Sequence, residues 1–174
     1  SEDRRGVGLL LDETLEWNVA FPAMQIQNKF LKKYGPITWR DTRAIHDVTQ
    51  EYIDELKIKC TSSKQKAREL SGGNQQKVIL GKWLAADSQI IIFDETTKGI
   101  DIGSKSEIYT LMRKLADEGK GVLVVSSELP ELLAVCDTIA VFREGKIVQT
   151  FPHKDATEEK IIMASTADLK ERTN

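Results

Sequence analysis

The run Glu69–Gly103, ELSGGNQQKVILGKWLAADSQIIIFDETTKGIDIG, constrains the fold of this chain more than any other stretch. It holds a Ser-Gly-Gly turn opening a helix, then a short apolar strand ending in Asp94-Glu95, then a loop around Asp101 opening a second helix. Ser71 is placed to cap the first helix, because a serine hydroxyl accepts a hydrogen bond from a free N–H of the first turn. Gly72 and Gly73 have no Cβ, so a ligand can approach their backbone closely. The unpaired N–H groups and the helix dipole together favour an anion such as phosphate. Ser-Gly-Gly by itself fits an ordinary capped helix equally well.

The strand Ile90-Ile91-Ile92-Phe93 is apolar without alternation, which predicts a strand covered on both faces. Two acids follow at its carboxyl end, where ligands bind in open α/β sheets. Asp94 is suited to hold a hydrated Mg²⁺, and Glu95 to orient or deprotonate a water. An isolated match of this kind also fits a solvated acidic turn.

The remaining chain reads as helices and strands around this run. Thr14 is a candidate cap for a helix through Val19, and Gly35-Pro36 breaks the chain. Thr38 to Leu56 reads as an amphipathic helix, with Ile45, Val48, Tyr52 and Leu56 at helical spacing. Thr61-Ser62-Ser63 makes a polar linker into the Ser-Gly-Gly turn. The helix after Ser71 carries Val78, Ile79, Leu80, Trp83 and Leu84, apolar around much of its circumference and so expected to be largely buried. Gly81 inside it costs roughly 1 kcal/mol relative to alanine, which points to close packing against a neighbour.

After Asp101, Ser104-Lys105-Ser106-Glu107 fits a capping box. Ile108, Leu111, Met112 and Leu115 form a helical stripe, and Gly119 suits a helix C-terminus. Val122–Val125 is a second all-apolar strand, and the order strand, helix, strand predicts a right-handed parallel crossover. A short helix over 129–135 tolerates Pro130 in its first turn. A strand over 138–142, a turn at Glu144-Gly145 and a strand over 146–150 make a hairpin. A last helix over 157–164 is expected to bury Ile161 and Ile162, and the polar tail from Asp168 to fray.

The chain has 174 residues, enough for one domain with a real core, and a formal charge of −2 with no long basic run. Nothing in this balance supports a nucleic-acid surface. No stretch approaches a membrane span, and no signal-like start is present. Cys60 and Cys136 stand alone and read as reduced packing cysteines, and His46 and His153 match no metal-ligand spacing.

LSGGNQQK, then a short helix, then IIIFDE, then GID, in that order and at that spacing, resembles the ATP-binding-cassette (ABC) ATPases. Ser71, Gly72, Gly73, Asn74 and Gln75 match the signature loop, Ile90 to Asp94 match Walker B, Glu95 matches the catalytic glutamate, and Asp101 sits at the D-loop position. The asparagine in LSGGNQQK and the following GID-IG-K are most similar to the second cassette in the ATPase subunits of bacterial monosaccharide importers. Ser1-Glu2-Asp3-Arg4-Arg5 is similar to the segment after the Q-loop strand of those subunits. Ser127 falls at the position where such ATPases usually place a switch histidine. A serine there still donates a hydrogen bond to a γ-phosphate but carries no charge. Thr96, where the family more often has proline, is a minor departure.

The resemblance implies a partial P-loop NTPase fold of the α/β class, with a mostly parallel sheet, flanking helices and an α-helical subdomain. The phosphate loop GxxxxGK[ST] is not in the chain, and the implied Walker A strand and N-terminal β-subdomain are absent with it. That strand would lie between the strands at 122–125 and 138–142, leaving a gap in the sheet. The implied division is 1–70 as post-Q-loop segment and helical subdomain, 71–153 as part of the ATPase core, and 154–174 as C-terminal helix and tail.

The implied function is that of an ATPase subunit coupling ATP and Mg²⁺ to sugar uptake, with the fragment itself inactive. Ser71, Gly72, Gly73, Asn74, Gln75 and Asp101 would serve nucleotide binding, Asp94 the metal through water, and Glu95 and Ser127 catalysis. The implied partners are a second cassette, a transmembrane permease and, indirectly, a periplasmic or extracellular sugar-binding protein, but no nucleic acid. The implied location is the cytoplasmic face of the membrane. Two alternatives stand beside this. One is a non-catalytic regulatory cassette that completes a partner's ATP site. The other is a soluble ABC protein of DNA repair or translation, which the short run before Ser71, without heptads or zinc ligands, disfavours.

Overall fold

The computed structural model describes residues 8–166. They fall into two compact units, one running to Leu123 and one starting at Val124. The expectations for Ser1–Arg5 and for the polar tail lie outside the described residues.

The first unit is built on helices. Thr14 caps α1 (Leu15–Gln27), its hydroxyl accepting from the Trp17 N–H at 3.1 Å. The helix does not end at Val19: it runs on through Pro22 and closes at Asn28, which takes φ 55°. An interior proline removes a helical hydrogen bond, and here the burial of Val19, Ala20, Pro22 and Ala23 offsets that loss. Asn18, also buried, holds Leu10 through both of its amide atoms, at 2.8 and 3.0 Å.

Gly35-Pro36 is the turn of a hairpin, β1 (Leu31–Tyr34) with β2 (Ile37–Arg40), paired antiparallel with Tyr34 opposite Ile37 and Lys32 opposite Trp39. Gly35 takes φ 59° ahead of the proline, the pattern of a type II′ hairpin turn. The helix expected from Thr38 therefore begins later. Thr38 and Trp39 suit a strand and are taken up by pairing with β1. α2 (Thr42–Glu55) is capped by Asp41, which accepts from the Ala44 N–H at 3.2 Å. It buries Ile45, Thr49 and Ile53, with Leu56 just beyond its end, while Val48 and Tyr52 lie at the margin.

Ser63 is more than a linker residue. It is buried, and its hydroxyl donates to Glu16 Oε1 at 2.7 Å, which His46 Nδ1 also meets at 2.9 Å. This junction joins α1, α2 and the segment leading into α3 (Gly72–Ala85).

On α3 the close approach expected at Gly81 is present: a Cβ there would lie 3.2 Å from Tyr52 Cβ and 3.5 Å from Leu56 Cδ1. Val78 is wholly buried but Trp83 is exposed, so the helix is not apolar-covered all round. α4 (Ile102–Asp117) buries Ile108, Leu111, Met112 and Leu115, the expected stripe. Gly119 ends it at φ 85°, with Gly119 N–H bonded to Ala116 O and Lys120 N–H to Leu115 O, the two bonds of a Schellman motif. The capping box read at Ser104 is displaced: Asp101 is the cap, three residues earlier. Asp101 sits where the chain is still extended and accepts from the Ser104 N–H, whereas Ser104 already lies inside the helix.

β3 (Ile90–Asp94) and β4 (Gly121–Val125) are hydrogen-bonded neighbours. The expectation of two covered faces does not hold for β3. Ile91 and Phe93 are buried, while Ile90 and Ile92 are 67% and 62% exposed. One side of the strand is thus covered and the other is open among the described residues. β4 alternates likewise, with Leu123 and Val125 exposed.

In the second unit α5 (Leu129–Val135) has the expected bounds. β5 (Thr138–Arg143) and β6 (Lys146–Pro152) form the expected hairpin. Its turn residues Glu144 and Gly145 both take positive φ, 50° and 76°, the requirement of a type I′ turn. α6 (Glu158–Thr166) buries Ile161 against Ile139 and Val141. Ile162, one residue on and so about 100° round the helix, is exposed, contrary to expectation. β4 does not pair with β5 among the described residues, so the strand pair and the hairpin are separate sheets.

Candidate functional site

The Ser-Gly-Gly turn stands at the N-terminus of α3, with Ser71 and Gly72 exposed. Ser71 occupies the cap position in extended backbone, φ −62° and ψ 157°, but its hydroxyl does not close on the backbone as expected. It accepts instead from the Asn74 side-chain amide at 2.9 Å, and Asn74 Oδ1 accepts from the Lys59 N–H at 2.9 Å. Asn74 thus competes successfully for the hydroxyl and leaves the first-turn N–H groups to another acceptor. Gln75 turns back to donate to the Ala67 and Leu70 carbonyls, both at 3.2 Å, and holds the approach to the turn.

Asp101 lies beside this turn. A Cβ on Gly73 would stand 3.1 Å from Ser104 Oγ and 3.6 Å from Asp101 Oδ2. The start of α3 and the start of α4 therefore meet at a point where only glycine fits without displacement. Asp101 Oδ1 accepts from the Ser104 N–H at 2.9 Å, and its other oxygen accepts from the Ser104 hydroxyl at 2.8 Å. The Ser104 N–H, then the Ser104 hydroxyl, hold the Asp101 carboxyl below the usual carboxylate range. Sequence reading associated these residues only through resemblance; their contact was signalled by nothing but two glycines and a capping pair.

Asp94 is exposed at the end of β3, and Glu95 follows with φ 47°, a left-handed backbone uncommon for a residue with a side chain. Such conformations concentrate where a fold positions chemistry. Behind it Thr96 and Thr97 are buried, and Lys98 N–H bonds to Glu95 O at 3.3 Å, making a tight turn. The described residues contain no cluster of three potential metal ligands. A strand-end carboxylate fits Mg²⁺, which is commonly held by one or two carboxylates with phosphate and water. Ser127 is exposed and belongs to the second unit, whereas the other expected site residues belong to the first.

A groove of about 200 Å³ is lined by Leu56, Lys57, Leu80, Glu107 and Lys114, among others, and by Lys77, which pairs with Glu107. It contains none of the expected site residues. The site is an open helix start rather than a cavity.

The family model described as ABC transporter matches residues 2–98, more than half of the chain. Among curated relatives, the L-arabinose transport ATP-binding protein AraG of Geobacillus stearothermophilus is 44% identical over 167 residues, 95% of this chain and 31% of that protein. The xylose import ATP-binding protein XylG of Thermoanaerobacter pseudethanolicus is 44% identical over 95% of this chain and 32% of its own length. The D-allose import ATP-binding protein AlsA of Escherichia coli is 52% identical over 68% of this chain and 24% of its own. The chain thus spans about a third of the length of the first two relatives. Among solved structures, the dimeric ATP-binding cassette MJ0796 superposes with a TM-score of 0.68 at 21% identity, covering 86% of this chain and 60% of that one. That likeness gives the ABC cassette fold, and with the family match the conclusion is plain: the chain belongs to the ABC transporter family.

Proposed function

We propose that this chain is part of a cassette in the ATP-binding subunit of an ABC importer for monosaccharides. The observation that carries the reading is the exposed start of α3, where the Ser71 hydroxyl is held by Asn74 instead of capping the first turn, close to Asp101. The names of the relatives, which import arabinose, xylose and allose, support the substrate class.

In this reading Ser71, Gly72 and Gly73 donate N–H groups to the γ-phosphate of an ATP held mainly by the opposite cassette. Asn74 and Gln75 keep the turn in shape, and Asp101 meets the partner cassette across the interface. Asp94 serves this cassette's own nucleotide through water around Mg²⁺, which when bound neutralises phosphate charge. Glu95 orients and deprotonates the attacking water, and Ser127 donates a neutral hydrogen bond to the γ-phosphate. Closure on ATP and opening after hydrolysis drive a transmembrane permease at the cytoplasmic face of the membrane, fed by a sugar-binding protein outside.

Glu95→Gln in the full-length subunit is expected to lower turnover about a hundredfold or more while ATP still binds; unchanged turnover refutes the assignment. Titration of Mg-ATP into the 174-residue chain is expected to give no heat of binding, since it holds no phosphate loop. Saturable binding would overturn the view that its signature turn acts on a partner's nucleotide.

A second reading, a cassette that caps a partner's ATP without hydrolysing its own, is favoured by serine at position 127. Disabling each cassette of the full subunit in turn and measuring hydrolysis separates the two.

A further inference from the structure

The hydrogen bonds of the Asn74 side chain fix which way its amide points. A backbone N–H can only donate, so the Lys59 N–H makes Asn74 Oδ1 the acceptor of their 2.9 Å bond. The amide nitrogen is then the atom that faces Ser71, and it donates to the hydroxyl oxygen at 2.9 Å. That bond occupies a lone pair of Ser71 Oγ and leaves the hydroxyl hydrogen for a different acceptor.

The same bond decides what Ser71 does not do. The Gln75 N–H bonds to the Ser71 carbonyl at 2.9 Å, so the N–H groups of Gly72, Gly73 and Asn74 precede the first carbonyl partner of α3. A serine at the cap ordinarily turns its oxygen onto one of them, and Ser71 does not. With the hydroxyl oxygen drawn to Asn74, the O–H joins the first-turn N–H groups as a donor, a set that suits an anion with several oxygens.

The anchor of this arrangement lies outside the turn. Ile58 is buried, and its N–H bonds to the Ile53 carbonyl of α2 at 2.8 Å. The Lys57 carbonyl accepts from Lys77 Nζ at 3.2 Å. Lys77 follows Asn74 by one helical turn, so both reach the segment 57–59 from one face of α3. Lys59 is thereby held in place to aim the amide.

We infer that Asn74 is a positioning residue for the γ-phosphate contact: held by the Lys59 N–H, it keeps the Ser71 hydroxyl from capping α3 and turns the hydroxyl hydrogen outward. The inference rests on the reading of this turn as one that meets a partner cassette's nucleotide. It adds to that reading a residue that acts on the nucleotide only through Ser71.

Steady-state ATP hydrolysis by the full-length subunit tests it, with inhibition by ADP as the second readout. In Asn74→Asp the carboxylate still accepts from the Lys59 N–H, but it has nothing to donate to Ser71 and claims the hydroxyl hydrogen instead. This variant is expected to lower kcat/KM for ATP about tenfold or more, while the ADP inhibition constant stays within about twofold, because ADP has no γ-phosphate to receive the bond. The urea midpoint is expected to stay unchanged, since the tie to Lys59 is kept. Neutral variants exclude the added charge as the cause. Asn74→Ala and Ser71→Ala are each expected to lower kcat/KM about tenfold, and the double variant no further than the worse of the two. Unchanged kcat/KM in Asn74→Asp, equal weakening of ATP and ADP, or additive losses in the double variant would each overturn the role of Asn74 and leave the importer reading standing. A Ser71→Ala subunit that hydrolyses ATP at the parent rate would overturn both.

Discussion

α3 and β3 are adjacent in sequence and similarly rich in apolar residues, yet the structure treats them differently. α3 is engaged along its length: Gly73 against Ser104 and Asp101, Lys77 with Glu107, Gly81 against Tyr52 and Leu56. β3 is covered on one side only, with Phe93 2% exposed and Ile92 beside it 62%. A helix shows a fresh face every few residues and finds partners among its chain neighbours. A central strand has two opposite faces and needs a separate layer for each. Apolar sequence in a helix is thus satisfied locally, whereas in a strand it calls for a layer on each face, and among the described residues only one face of β3 is covered.

The strand side of the contrast gives the largest expected effect. Phe93→Ala should destabilise the chain by about 3–5 kcal/mol in urea unfolding; a loss comparable to that at an exposed site would mean that β3 is uncovered on both faces. On the helix side, Gly81→Leu forces a side chain into the Tyr52 and Leu56 contact and should cost about 1–3 kcal/mol. A neutral result would show that α2 and α3 are not closely apposed.

The same contact can be read through pH. Burial, reinforced by the charges of Glu51 and Glu55, pushes the Tyr52 hydroxyl up to about 12. The unfolded chain releases that proton near the ordinary value of 10.0. The folded state therefore holds a proton that the unfolded state has lost, and stability should be intact below that value and fall as pH rises toward about 12. Tyr52→Phe should flatten this alkaline limb; an identical limb in the variant would assign the decline elsewhere. The smallest effect belongs to the bare face: Ile92→Thr should stay within about 0.5 kcal/mol of the parent. A cost near that of Phe93→Ala would show that the second face is covered in solution, for example by another copy.

What could be read from the sequence follows the same division. Local signals came through well: the bounds of α5, the Glu144-Gly145 turn, the stripe of α4, and Gly81 as a point of close packing all rest on residues within a few positions of one another. The misreadings came where tertiary packing or a competing side chain outweighed a local preference. Trp39 and Thr38 fit a helical pattern until the Gly35-Pro36 turn pairs them with β1. Ser71 and Ser104 both invite a capping role, but Asn74 takes one hydroxyl and Asp101 the other. Pro22 sits inside a helix because three neighbouring residues are buried with it. For the candidate site, residue types and order were legible, while the meeting of Gly73 with Ser104 and Asp101 required the fold.

That meeting has a kinematic consequence. A Cβ at Gly73 would stand 3.1 Å from Ser104 Oγ and 3.6 Å from Asp101 Oδ2, so a tilt of the Ser71–Gly73 turn toward α4 is expected to press on the head of that helix. From Asp101 the five residues 96–100 lead back to Glu95, two of them, Thr96 and Thr97, buried and so unable to take up slack by swinging into solvent. The turn that would sense one nucleotide and the carboxylate that would act on another are thus separated by the close approach at Gly73 and a short segment. Giving that close approach a methyl group through Gly73→Ala should alter amide exchange at Thr97, and unchanged exchange would show that the linkage is slack.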